Sequence, residues 1–107
     1  ANYLKFIERA RSEWIRTLGI DQKALKADEG IVFAVRRIEA DYLSPAHFDD
    51  ELDVLTTTEA VTGARSHLKQ EVLPAGEVLF TAFVTIVAIG EAGQPARLPA
   101  NIRLLMH

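Results

Sequence analysis

Side chains with chemical capacity are few and scattered in this 107-residue sequence. Glu8 and Arg11 stand three positions apart in a stretch of helical periodicity, a spacing that lets them pair on one helix face. The same pair offers a second reading, in which a helix-borne carboxylate serves as a base at the edge of a ligand pocket. Arg65, His67 and Lys69 occupy alternate positions, so a strand there gathers them into a cationic strip able to hold a phosphate. The three histidines, His47, His67 and His107, lack the spacing of a shared metal site, and no metal is expected. Asp49, Asp50, Glu51 and Asp53 follow Pro45 and read as a solvated loop entering a strand. There is no G-x-S-x-G, no phosphate-cradling glycine loop and no His-Glu-x-x-His. The absence of cysteine removes disulfides, thiolate nucleophiles and zinc-thiolate sites together. By residue chemistry alone, no catalytic set is complete.

The periodicity says which elements must carry these side chains. Tyr3, Phe6, Ile7, Ala10, Trp14 and Leu18 fall on one arc at about 100° per residue, widened by Leu4 and Ile15. This predicts a helix over 3–18, with Asn2 as its N-cap, Gly19 beyond its end and Arg11 at the edge of the apolar arc. Asp21 starts a short second helix that Gly30 closes. From Ile31 the period changes to two, giving a strand to about residue 41, which Ser44 and Pro45 interrupt. Further strands are predicted over 52–61, 64–73 and 77–89. In the third, Ser66, Leu68, Gln70 and Val72 alternate with Arg65, His67, Lys69 and Glu71. In the fourth, Val78, Phe80, Ala82, Val84, Ile86 and Ala88 make one wholly apolar face, while Leu79, Thr81, Phe83, Thr85 and Val87 make a mixed one. At roughly 3.3 Å per residue that strand is on the order of 40 Å long and must curl. The expected architecture is α+β: a curved antiparallel sheet wrapped around one long helix, with the mixed face left to a second subunit or a ligand.

Composition narrows the partners. Lys plus Arg is 12 against 15 for Asp plus Glu, a formal charge of -3, which argues against nucleic acid and leaves room for a small anion held by local cations. With 49% hydrophobic and 25% charged residues, no linker and no repeat, residues 1–107 read as a single globular domain. The apolar run 78–89 is too short to span a bilayer as a helix, so no transmembrane segment is expected.

Several segments carry a more specific signal. The opening ANYLKFIERARSEW (1–14), then VRRI (35–38), DYLSPA (41–46), FDDEL (48–52), GARS (63–66) and RLP (97–99) resemble, in collinear order, the 4-hydroxybenzoyl-CoA thioesterase-like hotdog family. They look most like its Tol-Pal-associated acyl-CoA thioesterase branch. The resemblance implies a hotdog fold and hydrolysis of acyl-CoA thioesters to free acid and coenzyme A, with the helix N-terminus stabilising the developing oxyanion and a carboxylate acting as nucleophile or base. It implies that Asn2 and Tyr3 line the thioester end, that Arg65 and Ser66 meet the CoA phosphates, and that no cofactor is needed, CoA being part of the substrate. Glu8 is the carboxylate candidate within the sequence. In that branch a first strand, an Asp and a His lie just upstream of the Ala-Asn-Tyr that opens this sequence. The expectation is therefore that the first strand and the principal catalytic Asp fall outside these residues. A homodimer or homotetramer in the cytoplasm is implied, with acyl carrier protein as a further partner. The alternative is a non-catalytic module of the same fold that binds acyl-CoA or an acyl carrier. A hotdog dehydratase would need an Asp-His pair that is not found.

Overall fold

The computed structural model describes residues 3–44, 51–73 and 78–107. Tyr3, Ile7, Arg11 and Ile15 recur every four residues and form the buried ridge of helix α1 (Tyr3–Thr17). This corrects the arc read from the sequence, whose centre lies nearer Ala10 and Trp14. Phe6, Trp14 and Leu18 are only partly buried, and Arg11 moves from the edge of the contact to its interior. The helix is rotated about its axis because Arg11 finds an acceptor on the sheet beneath it. The expected N-cap, Asn2, lies outside the described residues. Gly19 follows the helix with φ +91°, in the left-handed region that favours glycine.

Helix α2 (Gln22–Glu29) has the ends the sequence foretells. Asp21 Oδ1 accepts from the backbone N–H groups of Lys23 and Ala24 at 3.0 and 3.1 Å. At the other end, Gly30 N donates to Lys26 O and Ile31 N to Leu25 O, satisfying two terminal carbonyls.

Four strands follow: β1 (Val32–Tyr42), β2 (Asp53–Thr62), β3 (Arg65–Leu73) and β4 (Phe80–Ile89). They form one antiparallel sheet in the order β1-β4-β3-β2, so β1 and β2 are its edges among the described residues. Phe80, Ala82, Val84, Ile86 and Ala88 of β4 are buried, as are Ser66, Leu68, Gln70 and Val72 of β3, in the alternation expected. On the face expected to be mixed, Val87 is buried as well, as is Leu79 just ahead of β4. In β1 a bulge between Val35 and Arg37 interrupts the single alternation expected from Ile31 onward. Phe33 and Val35 pair with Ala88 and Ile86; beyond the bulge Ile38, Ala40 and Tyr42 pair with Val84, Ala82 and Phe80. One extra residue thus keeps the apolar side chains of β1 in line with the buried face of β4.

Helix α1 packs over β2 and β3, and α2 against β1. A third helix, α3 (Ala100–Met106), which periodicity does not reveal, packs against β2. There Thr58 Oγ1 donates to the Met106 carbonyl at 2.7 Å, and the Met106 side chain is fully buried. Among the described residues, no helix is long and apolar enough to cross a membrane. Removing the α2 cap in an Asp21→Ala variant should lower stability by about 1 kcal/mol, measured as a shift in the urea midpoint at unchanged slope.

Candidate functional site

The first turn of α1 meets the sheet where β1 ends and β4 begins. Tyr3 is buried there, its ring centroid 5.0 Å from that of Phe80 and 5.9 Å from that of Tyr42. Tyr42 and Phe80 meet edge-on at 4.8 Å. Three aromatic rings contributed by α1, β1 and β4 therefore wall the start of the helix and hold it to the sheet. An α-helix leaves its first four N–H groups without partners inside the helix and presents the positive end of its dipole there. An apolar wall beside such donors suits a carbonyl that becomes an oxyanion, since a low dielectric strengthens the interaction. The structure thus places Tyr3 at the expected end of the helix, while Asn2 lies outside the described residues.

One turn further along, the contact turns polar. Arg11 Nη1 donates to Gln70 Oε1 at 2.9 Å, and both side chains are buried. Gln70 Nε2 donates to the Ile7 carbonyl at 3.0 Å and to Thr56 Oγ1 at 3.2 Å. Burial pulls the Arg11 pKa below its ordinary value, and the negative charge of Glu8 opposes that pull. Glu8 itself is exposed. The reading of Glu8 and Arg11 as an ion pair at the rim gives way to this arrangement: Arg11 takes its hydrogen bond from the sheet, and Glu8 acts on it through charge. Glu8 and Arg11 also border a recess of about 250 Å³ between α1 and the inner face of the sheet, floored by Phe33, Val35 and Ile86. A larger hollow of about 650 Å³ lies on the outer side of α1, lined by charged side chains such as Arg9, Glu13 and Arg16. Arg16 and Glu13 pair there in solvent.

Arg65 and Ser66 part company. Adjacent residues on a strand face opposite ways, so Arg65 is exposed on the outer face while Ser66 is buried on the inner one. The Ser66 hydroxyl has no hydrogen-bond partner in its buried position. The cationic strip on the outer face is real but engaged. His67 Nδ1 lies 3.2 Å from Thr85 Oγ1, and Lys69 Nζ sits 5.9 Å from the centre of the Phe83 ring. Of the remaining sequence candidates, Glu51 and Asp53 are exposed, and His47, Asp49 and Asp50 lie outside the described residues. No group of three metal-binding side chains occurs among the described residues.

Sequence reasoning passed over Gln70 and Thr56. The available signal was that Arg11 and Gln70 are large polar residues on two faces otherwise suited to burial. Two such residues on facing elements are candidates for one another.

Comparison with known proteins agrees with this geometry. The family model described as Thioesterase superfamily matches residues 1–81. The chain is 32% identical over 109 residues to the acyl-CoA thioesterase YbgC of Haemophilus influenzae, covering 100% of this chain and 79% of that protein. It is 34% identical over 104 residues to the acyl-CoA thioester hydrolase YbgC of Escherichia coli, covering 95% and 77%. Among solved structures, a probable thioesterase from Bartonella henselae superposes with a TM-score of 0.84 at 39% identity, covering 92% of this chain and 82% of that one. A DHNA-CoA thioesterase from Staphylococcus aureus superposes with a TM-score of 0.80 at 27% identity, covering 91% and 66%. The neighbouring structures of this set carry the hotdog fold.

The buried polar contact makes a stability prediction. A Gln70→Leu variant leaves the Arg11 guanidinium buried without its acceptor and should unfold about 2–3 kcal/mol more easily, as measured by urea denaturation.

Proposed function

The chain belongs to the thioesterase superfamily, and on that footing we propose that it hydrolyses acyl-CoA thioesters to the free acid and coenzyme A. The observation that carries this reading is the similarity of the entire chain to acyl-CoA thioesterases, together with the aromatic-walled start of α1. Water adds to the thioester carbonyl carbon and loses a proton to a carboxylate. The oxyanion that forms meets the N–H groups of the first turn of α1. When the carbonyl reforms, the carbon–sulfur bond breaks and the CoA thiolate leaves, taking up a proton. Asn2 and Tyr3 border the thioester end. The carboxylate is Glu8 or another that reaches this end of the helix, and it either takes the proton from water or attacks the carbonyl carbon as the nucleophile itself. No cofactor enters this reaction, since CoA arrives with the substrate.

Arg65 is proposed to meet the phosphate end of CoA. It lies seven residues along β3 from Val72, the partner of Phe80, which is roughly 23 Å at strand spacing. That separation suits the two ends of an extended ligand. Ser66, buried beside it, serves the site by packing rather than by touching phosphate. Arg65, His67 and Lys69 together also suit an acidic acyl carrier protein as an alternative donor of the thioester.

A homodimer through β1 is part of this reading. The inner face of β1 carries apolar side chains that the chain leaves uncovered, with Val35 45%, Ile38 39% and Tyr42 66% exposed. Among the described residues the strand is also an edge of the sheet. A second copy that covers both brings two α1 helices close to one sheet, and two such dimers would make a tetramer. A cytoplasmic location is supported by the acyl-CoA substrate.

The test is release of free thiol from a series of acyl-CoA substrates by protein expressed from the complete reading frame, detected with a chromogenic disulfide. Thiol release is expected. Calorimetric binding of acyl-CoA without release would favour the non-catalytic binding module instead. An Arg65→Glu variant should raise KM about fivefold at low ionic strength, the equivalent of about 1 kcal/mol, and the difference should shrink as salt is added. A Glu8→Gln variant tests that role: turnover falls by at least about 100-fold if Glu8 reacts and stays close to wild type if another carboxylate does.

A further inference from the structure

Arg11 and Gln70 are not used by the chemistry proposed above, yet they occupy the middle of the helix–sheet contact at 6% and 0% exposure. Adhesion alone does not explain them. Apolar residues of similar volume commonly hold such an interface as well as, or better than, buried polar groups, because no charge has to leave water. What the polar pair adds is direction. Apolar faces slide past each other with little penalty, whereas a hydrogen bond weakens steeply when its angle or length changes.

The bonds are placed to stop such sliding. Through one amide, Gln70 binds two successive turns of α1: the Ile7 carbonyl at 3.0 Å and the Arg11 guanidinium at 2.9 Å. The amide is held on the sheet side by Thr56 Oγ1 of the neighbouring strand, directly opposite Gln70 in the β2–β3 register. Two attachment points one turn apart fix both the height of a helix along its axis and its rotation about that axis. Ile7 is one turn, or about 6 Å, from Tyr3 at the start of the helix, so a displacement at the amide is passed to the first turn almost undiminished. The Tyr3–Phe80–Tyr42 rings hold that end sideways but, being apolar, leave it free to slip along the axis.

We propose that Arg11 and Gln70 are positioning residues that set the axial height and rotation of α1, and so aim the N–H groups of its first turn at the thioester carbonyl. The proposal rests on the reading of the chain as a thioesterase with its oxyanion at that helix end. Misplacement of a reacting group by about 1 Å can cost on the order of 100-fold in rate.

The experiment measures acyl-CoA hydrolysis and urea unfolding in parallel for the full-length wild type, Gln70→Leu, the double variant Arg11→Met with Gln70→Leu, and Thr56→Val. The double variant strands no buried charge and should recover the stability that Gln70→Leu loses. Its kcat should nevertheless stay at least about tenfold below wild type, with KM within about twofold, because the substrate still binds but its carbonyl is misaligned. Thr56→Val removes one bond at nearly constant volume; its kcat should fall about two- to threefold, while its unfolding constant rises by only about fivefold, the equivalent of about 1 kcal/mol. If kcat returns with stability in the double variant, or equals wild type in Thr56→Val and in whichever other variants fold, the residues are structural and the proposal fails. A wild type that binds acyl-CoA without releasing thiol would overturn the thioesterase reading itself, and this proposal with it. Active wild type with unaffected variants would overturn the proposal alone.

Discussion

A guanidinium taken out of water between a helix and a sheet must be met there by an acceptor of fixed geometry. In this chain Arg11 is that group and the Gln70 amide meets it. Much else follows from the one contact. It dictates which residues of α1 lie against the sheet, turning the Tyr3–Ile7–Arg11–Ile15 row inward and leaving Phe6, Trp14 and Leu18 only partly covered. It also requires a polar residue in the middle of the inner face of β3, between Leu68 and Val72, and a hydroxyl from β2 to complete that residue's hydrogen bonding. Burial lowers the pKa of Arg11, yet an arginine so far above neutrality keeps its charge; the exposed carboxylate of Glu8 helps from one turn away.

The rest of the sheet divides its duties around that fixed point. The side formed by β2 and β3 is covered by α1 and α3, and it carries the polar clamp. The side formed by β1 is apolar on its inner face, and among the described residues its Val35, Ile38 and Tyr42 stay exposed. The bulge at Arg36 makes this asymmetry possible. Without it, Ile38, Ala40 and Tyr42 would point to the other face, and Tyr42 would leave the aromatic group that holds the start of α1.

Much of this was legible in the chain. The helical and two-residue periods located α1 and the strands to within a few residues. Asp21 and Gly30 marked the ends of α2, because a cap and a left-handed residue act through neighbours in sequence. The buried alternation of β3 came through intact, since a strand between two others has one face whose burial the sequence states directly. That of β4 came through over residues 80–88, with Val87 buried as well. The collinear resemblance to acyl-CoA thioesterases likewise needed no coordinates. Helix α3 was missed because its seven residues are too few to show a period and are held by contacts with β2.

Sequence alone, then, determined α1, α2 and the four strands, their order, the buried face of β3 and the family, all of which depend on residues near one another along the chain or on their collinear order. Tertiary structure decided the rotation of α1, the phase change in β1 and the partner of Arg11. Each of these depends on contacts between residues far apart in sequence: Arg11 and Gln70 are 59 positions apart. A helical wheel can show that a charged residue borders an apolar arc. Only the opposing surface, with its own polar exception at the right height, decides whether that charge stays in water or is drawn inside.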